Sequence, residues 1–150
     1  MADYKLGEAS TKAVRKLNLQ DLELPPRPDY DRPTIPPDIT AISAEEVITL
    51  MGEVTSWLDF IETQQAMAVI DEKYEEGVLE EIEAAVRIEN KDEKTVTTVK
   101  ALVFEDKEYM AQREKVRAAY GYRKAIETLY NSLDRARFIL SREITRRTDK

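Results

Sequence analysis

The stretch that decides the fold is residues 109–144, which read YMAQREKVRAAYGYRKAIETLYNSLDRARFILSREI. Side chains suited to a helix interface recur along it at alternating steps of three and four residues, as in a coiled coil. One row consists of Gln112, Ala119, Ile126, Leu133 and Leu140, and the other of Tyr109, Val116, Arg123, Tyr130, Arg137 and Ile144. No proline interrupts the stretch, and Gly121 is its only glycine. The pattern predicts one long helix over about residues 105–147.

A second long helix is indicated upstream. Ser43 and Glu46 are spaced as a capping box, in which the serine hydroxyl accepts from the amide three residues later. Apolar residues follow at helical spacing, among them Val47, Val54, Trp57 and Ile61. We therefore expect a helix over about residues 44–88.

The segment between the two helices is less clearly patterned. Residues 89–95 are polar and predict a turn. The β-branched residues of 95–104 favour a strand, whereas Val99, Leu102 and Val103, with a threonine cap before them, fit a short helix. We prefer the helix and leave the strand open.

All six prolines lie between residues 25 and 37. Proline fixes φ and lacks an amide donor, so this stretch is expected to be extended and largely polyproline-II in character. Residues 10–19 allow one short helix before it. We interpret residues 1–40 as an extended N-terminal arm and residues 41–150 as the helical domain.

The expected fold is all-α: a long antiparallel helical hairpin with a Pro-rich extended arm. Two helices bury little surface, so the chain is expected to form a homo-oligomer. The apolar stripes supply the expected oligomer interface, which comprises Trp57, Ile61, Ile126, Tyr130, Leu133 and Leu140. The arm is expected to dock on a neighbour through Leu22, Leu24, Tyr30 and Ile35.

Charge is distributed in blocks along the 150 residues, whose net charge is −7. Residues 41–105 hold five Lys and Arg against sixteen Asp and Glu, whereas residues 106–150 hold twelve against seven. The first helix is thus acidic and the second basic, so part of the asymmetry is expected to be satisfied where the two helices meet.

The chain contains no cysteine and no histidine. Disulfides, thiolate or imidazole metal sites, catalytic triads and histidine acid–base chemistry are therefore excluded. The carboxylates of residues 71–83 are interpreted as a solvated acidic face. We expect no enzyme, no metal and no cofactor. No apolar run reaches the roughly 18 residues of a membrane span, so no membrane association is expected.

The basic end of the second helix is the main candidate site. Five arginines are candidates for nucleic-acid or partner binding: Arg135, Arg137, Arg142, Arg146 and Arg147. Such a cluster suits phosphate groups. Two other interpretations stay open, namely cations stabilising a helix C-terminus and partners for the acidic first helix.

Two runs in the second half carry a family resemblance. Residues 104–109, Phe-Glu-Asp-Lys-Glu-Tyr, lead into an uninterrupted helix that ends in Phe-Ile-Leu-Ser-Arg-Glu-Ile at residues 138–144. Together with Trp57-Leu58 in the first helix, they resemble the recombination mediator family of T-even-like phages over about residues 45–147. The resemblance implies a small helical oligomer in the host cytoplasm that binds single-stranded DNA and helps to load a recombinase.

Two other hypotheses compete with the mediator. A long arm, a helical hairpin and complementary charge blocks also suit a structural subunit of a virus particle or another large assembly, which binds capsid or other assembly subunits through its arm. A regulatory adaptor that docks through residues 22–25 is the third.

Overall fold

A computed structural model of the protein describes residues 7–93 and 95–149. Within these residues the secondary structure is entirely helical, and the all-α class is confirmed. Four α-helices follow one another, with a short 3₁₀ turn, Ile39–Ala41, after the first. They are α1 Glu8–Asn18, α2 Ala44–Glu89, α3 Val96–Glu105 and α4 Lys107–Thr148.

Local sequence signals determine where these helices begin. The amide of Glu46 donates to Ser43 Oγ at 3.1 Å, which confirms the serine cap of α2. Thr95 caps α3 by accepting from the amide of Thr98, so residues 96–105 are helical and the strand alternative is wrong. The carboxylate of Asp106 accepts from the amide of Tyr109 at 2.9 Å and caps α4. The turn expected over residues 89–95 lies at 90–92, and Lys94 is outside the described residues.

The chain divides into two compact units. The first unit contains residues 7–16 and 67–124, and the second contains residues 17–66 and 125–149. Both long helices contribute to each unit.

In the first unit, α2 and α4 run antiparallel. Val86 of α2 lies in one apolar cluster with Tyr109 of α4 and Val103 of α3. Fourteen residues back along α2, Glu72 pairs with Arg123, which is fourteen residues further along α4. Contacts that advance in opposite directions along the two helices define an antiparallel pair. Helix α3 covers one end of it through the buried Val103.

A buried carboxylate holds α1 in this unit. Asp71 is 3% exposed and accepts from the amides of Gly7 and Ser10 at 2.9 and 3.1 Å. It also accepts from the Ser10 hydroxyl at 2.9 Å. Gly7 immediately precedes α1 and Ser10 lies in its first turn, where the amides have no partner inside the helix. Gly7 allows the close approach, because a Cβ there would lie 2.5 Å from Asp71 Oδ1. Burial, and next the charge of Asp71, raises the pKa of the Tyr122 hydroxyl.

This burial corrects one sequence interpretation. Asp71 and Glu72 are both buried, so the carboxylates of residues 71–83 do not form a continuous solvated face. Each buried carboxylate has a partner, as buried charges require: the first turn of α1 for Asp71 and Arg123 for Glu72. Glu80 and Glu81 are exposed, as expected.

In the second unit, residues 22–38 have no helix or strand. We call residues 25–37 the proline segment. Its residues Pro25, Pro26 and Pro28 line a cavity with Ser56 and Asp59 of α2. The guanidinium of Arg27 lies 5.6 Å from the centre of the Trp57 ring. The proline segment thus packs along α2 before it reaches α4.

The apolar rows of α2 and α4 form the core of this unit. Five of the six side chains expected at an oligomer interface are buried here within one chain: Trp57, Ile61, Ile126, Leu133 and Leu140. The sixth, Tyr130, is half-buried and lines a cavity with Leu58. Packing inside a single chain is sufficient to explain the periodicity of these residues.

Candidate nucleic-acid interface

The five candidate arginines all lie on α4 in the second unit, and three of them pair with carboxylates of the same helix. Arg137 Nη2 lies 2.7 Å from Asp134 Oδ1. Arg146 Nη2 lies 2.6 Å from Glu143 Oε1, and Arg147 Nε lies 2.7 Å from the same oxygen. Pairs of this i,i+3 and i,i+4 kind hold each guanidinium against its own helix.

Arg147 has a further structural role. Its Nη2 donates to the carbonyl oxygens of Ile39 and Ile42 at 3.1 and 2.8 Å. Its side chain is 21% exposed, the least of the three paired arginines. Arg147 therefore ties the 3₁₀ turn before α2 to the end of α4, and its Nε and Nη2 donors are already engaged.

Glu143 is the centre of this arrangement. Its side chain is buried and receives hydrogen bonds from both Arg146 and Arg147. These bonds, first that of Arg146 and then that of Arg147, lower the pKa of the Glu143 carboxyl to about 2. The carboxylate is therefore charged in the folded protein throughout the neutral and mildly acidic range.

The lowered pKa predicts a pH-dependent contribution to stability. A carboxyl whose folded-state pKa lies below its unfolded value of 4.5 stabilises the fold fully above that value. We expect this contribution to be lost as the pH falls from 4.5 towards 2. The measurement is the thermal midpoint of wild type and Glu143→Gln from pH 7 to pH 2. The difference between the two should shrink over that acidic interval. A difference in thermal midpoint that stays constant from pH 7 to pH 2 would contradict a lowered pKa of the Glu143 carboxyl.

The other two candidate arginines are exposed. The Arg142 guanidinium lies 5.0 Å from the centre of the Phe138 ring, one turn earlier on α4. Phe138 is 60% exposed, which is unusual for a phenylalanine. The Arg142 guanidinium thus lies against an aromatic ring at the protein surface.

Arg135 lies beside a groove between the proline segment and α4. The groove has a volume of about 300 Å³. It is lined by Arg32, Pro33, Thr34, Ile35, Ser132, Leu133, Arg135, Ala136 and Ile139. A second arginine, Arg32, thus joins Arg135 at the groove although the two are about a hundred residues apart in sequence. We call Arg32, Arg135, Phe138, Ile139 and Arg142 the α4 face.

Sequence reasoning missed Arg32. It lies between prolines in a segment with no helical or strand periodicity, so no local pattern places it against α4. Its position depends on how the proline segment packs, which is a tertiary property. The presence of an arginine within a proline-rich stretch was the only available signal.

The residues expected to dock the arm are partly engaged inside this chain. Ile35 lines the groove on α4, and Tyr30 lines the cavity with Ser56 and Asp59. Leu22 is 52% exposed, and Leu24 is half-buried. Docking to a neighbour through these residues stays a prediction.

The α4 face combines cations with an exposed aromatic ring. Residues 135, 138, 139 and 142 follow at helical spacing and span about 10 Å along one side of α4. Arginines pair with phosphate oxygens through several N–H groups, and an exposed ring offers a stacking surface to an unpaired base. This combination suits a single-stranded nucleic acid better than a duplex, whose bases are already stacked.

Comparison of the chain with protein-family models, with curated proteins and with solved structures finds no match. Among the described residues, no group of three or more acidic side chains is arranged to hold a metal ion. No described helix is long and apolar enough to cross a membrane.

Proposed function

We propose that the protein is a non-catalytic helical oligomer that binds single-stranded DNA and, like the recombination mediators that its second half resembles, assists recombinase loading. The observation that carries the proposal is the exposed Phe138 ring with the Arg142 guanidinium 5.0 Å from its centre. An exposed aromatic side chain held beside a cation is a standard component of sequence-independent single-strand sites.

Arg32 and Arg135 extend this site along the groove. Together with Arg142 they supply three guanidinium groups on one unit, and among the described residues none of the three forms an ion pair with a carboxylate. A strand whose base stacks on Phe138 would place its neighbouring phosphates near these groups. Arg146 and Arg147 share the single carboxylate of Glu143 and so leave one further positive charge on this end of α4, although Arg147 is committed to the 3₁₀ turn.

Self-association would strengthen a site of this size. Three cations and one ring make few contacts, so a single chain should bind weakly. Several copies joined in one oligomer would present several such faces to the same strand, which raises the overall affinity without any new contact.

The test is binding of a fluorescein-labelled 20-nucleotide dT strand, measured by fluorescence anisotropy at low salt. We expect Phe138→Ala to weaken binding by about tenfold, since stacking on one aromatic contributes roughly 1–3 kcal/mol. Arg142→Glu should weaken it at least as much. The matched control is Arg117→Glu, which makes the same charge change at an exposed arginine of the first unit that pairs with Glu114.

Equal losses in Arg142→Glu and Arg117→Glu would show a general charge effect and would contradict a specific face. If Phe138→Ala bound the dT strand as tightly as the wild type, base stacking on Phe138 would be contradicted. Circular dichroism of each variant checks that the helices are retained.

One observation favours the assembly subunit as a second candidate. Phe138 and Ile139 are 60% and 44% exposed, and adjacent exposed apolar side chains also suit a protein neighbour. In that case the wild-type protein would not bind the dT strand, and Phe138→Ala would reduce its sedimentation coefficient. The mediator requires binding, so the two candidates give opposite results in the same experiment.

A further inference from the structure

The first unit has a small cavity that the proposed DNA site does not use. Its volume is about 150 Å³, and it is lined by Glu83, Arg87, Lys100, Val103, Phe104 and Tyr109. Helices α2, α3 and α4 each contribute to it. Ligand sites for small molecules are typically about 300–1,000 Å³, so this cavity fits a smaller group, such as one apolar side chain.

The floor of the cavity is apolar and buried. Val103 and Tyr109 are buried and belong to the cluster that also holds Val86. The rings of Phe104 and Tyr109 meet edge to face, with centroids 5.7 Å apart and planes at 88°. Phe104 itself is 51% exposed and forms one wall. An apolar side chain entering here would contact two aromatic rings and a valine.

The rim of the cavity is positively charged. Lys100 is exposed and forms no ion pair with any described residue. The Arg113 guanidinium lies 5.7 Å from the centre of the Phe104 ring. Arg87 pairs with Glu83 at 2.9 Å, which neutralises the one carboxylate of the lining. The cation that remains without a carboxylate partner at the cavity itself is Lys100.

We infer that this cavity binds the C-terminal residue of a partner protein, with its apolar side chain on Phe104 and Tyr109 and its free carboxylate at Lys100. The C-terminus is the one place in a protein where a carboxylate and an apolar side chain belong to the same residue. Capture of a terminal carboxylate beside a pocket for the last side chain is an established mode of peptide recognition.

Nucleic acid fits the same cavity less well. Helix α2 carries exposed Glu80 and Glu81 within one turn of Glu83, and these repel a polyanion that would have to pass along the surface. A single terminal carboxylate carries one negative charge, so these glutamates repel it less than they repel a polyanion. This inference does not rest on DNA binding by the α4 face, which lies in the other unit.

The test uses the whole protein and two fluorescein-labelled hexapeptides of the sequence Gly-Ser-Gly-Ser-Gly-Phe. One peptide has a free C-terminal carboxylate, and the other is amidated. We expect the free peptide to bind at least tenfold more tightly than the amidated one in fluorescence anisotropy. Lys100→Ala should remove that preference, and Phe104→Ala should weaken both peptides. Lys91→Ala, at an exposed lysine outside the cavity, should bind like the wild type.

Equal binding of the two peptides, or no binding of either, would overturn the inference. So would an unchanged preference for the free carboxylate in Lys100→Ala. The same variants are also titrated with the dT strand. Loss of DNA binding in Lys100→Ala without any peptide preference would make the cavity a nucleic-acid contact and would likewise overturn it. Absence of DNA binding in all variants bears on the proposed function alone.

Discussion

Replacing Leu133 with Asp is expected to unfold the second unit. Leu133 is 2% exposed and lies on the buried row of α4. Truncating such a leucine to alanine costs roughly 2–5 kcal/mol, and an aspartate adds the cost of burying a carboxyl group without a partner. Since domains are stable by only about 5–15 kcal/mol, this change removes a large share of the total. Urea denaturation followed by circular dichroism should show a much lower midpoint.

Ile139→Asp is the matched control for this change. Ile139 lies on the same helix six residues later but is 44% exposed, so its aspartate remains in water and the fold should survive. If Leu133→Asp kept its helices and only its sedimentation coefficient fell, Leu133 would be a contact between subunits, as the sequence alone suggests. Leu133 would then contribute more to association between subunits than to the core of one chain.

Replacing Arg123 with Ala is expected to destabilise the first unit by about 3–5 kcal/mol, because it leaves a buried carboxylate without its partner. The Arg123 guanidinium pairs with Glu72, whose side chain is 10% exposed, through both carboxylate oxygens. Arg123 also lies over the Tyr120 ring, 5.3 Å from its centre. The measurement is the free energy of unfolding in urea.

A double-mutant cycle separates the ion pair from the other contacts of Arg123. Glu72→Gln in the Arg123→Ala background should recover part of the loss, because the unpaired charge is gone. Arg117→Ala is the control, since its pair with Glu114 is exposed and should contribute about 0–1 kcal/mol. If Arg117→Ala and Arg123→Ala lowered the free energy of unfolding equally, the buried pair would contribute no more to stability than the exposed one.

Periodicity and caps were sufficient to predict the helices. The row from Gln112 to Leu140 is buried at every position, which confirms the helical side that the spacing indicated. The helix expected over 44–88 is Ala44–Glu89, because the Ser43 cap is a local signal that involves neighbours within three residues. For residues 95–104 the sequence preferred a helix but left a strand open, and the structure shows a helix capped by Thr95.

Contacts between distant residues were not predictable from these patterns. Asp71 accepts from Gly7 and Ser10 over sequence separations of 64 and 61 residues. Arg147 reaches the carbonyls of Ile39 and Ile42 over separations of 108 and 105. The sequence around a polar residue does not show whether its partner is water or a distant amide. Asp71 was therefore predicted to be solvated.

In the candidate site, too, local features were predictable from the sequence and contacts between distant residues were not. The charge pattern predicted a site at the basic end of α4 that includes Arg135 and Arg142, and both side chains are exposed. It did not distinguish them from Arg147, because the spacing of arginines along a helix does not show which of them meets a carbonyl from another segment. Arg32 entered the site only through the packing of the proline segment.

The most direct test of the central claim is the salt dependence of single-strand binding by the wild-type protein. The affinity for the labelled dT strand is measured from 20 to about 300 mM NaCl and plotted on logarithmic axes. Three phosphate contacts for each chain, from Arg32, Arg135 and Arg142, correspond to a slope of about −2 for each chain engaged. We expect clear binding at low salt and a slope at least that steep. No binding at the lowest salt concentration, or an affinity independent of salt, would contradict the claim.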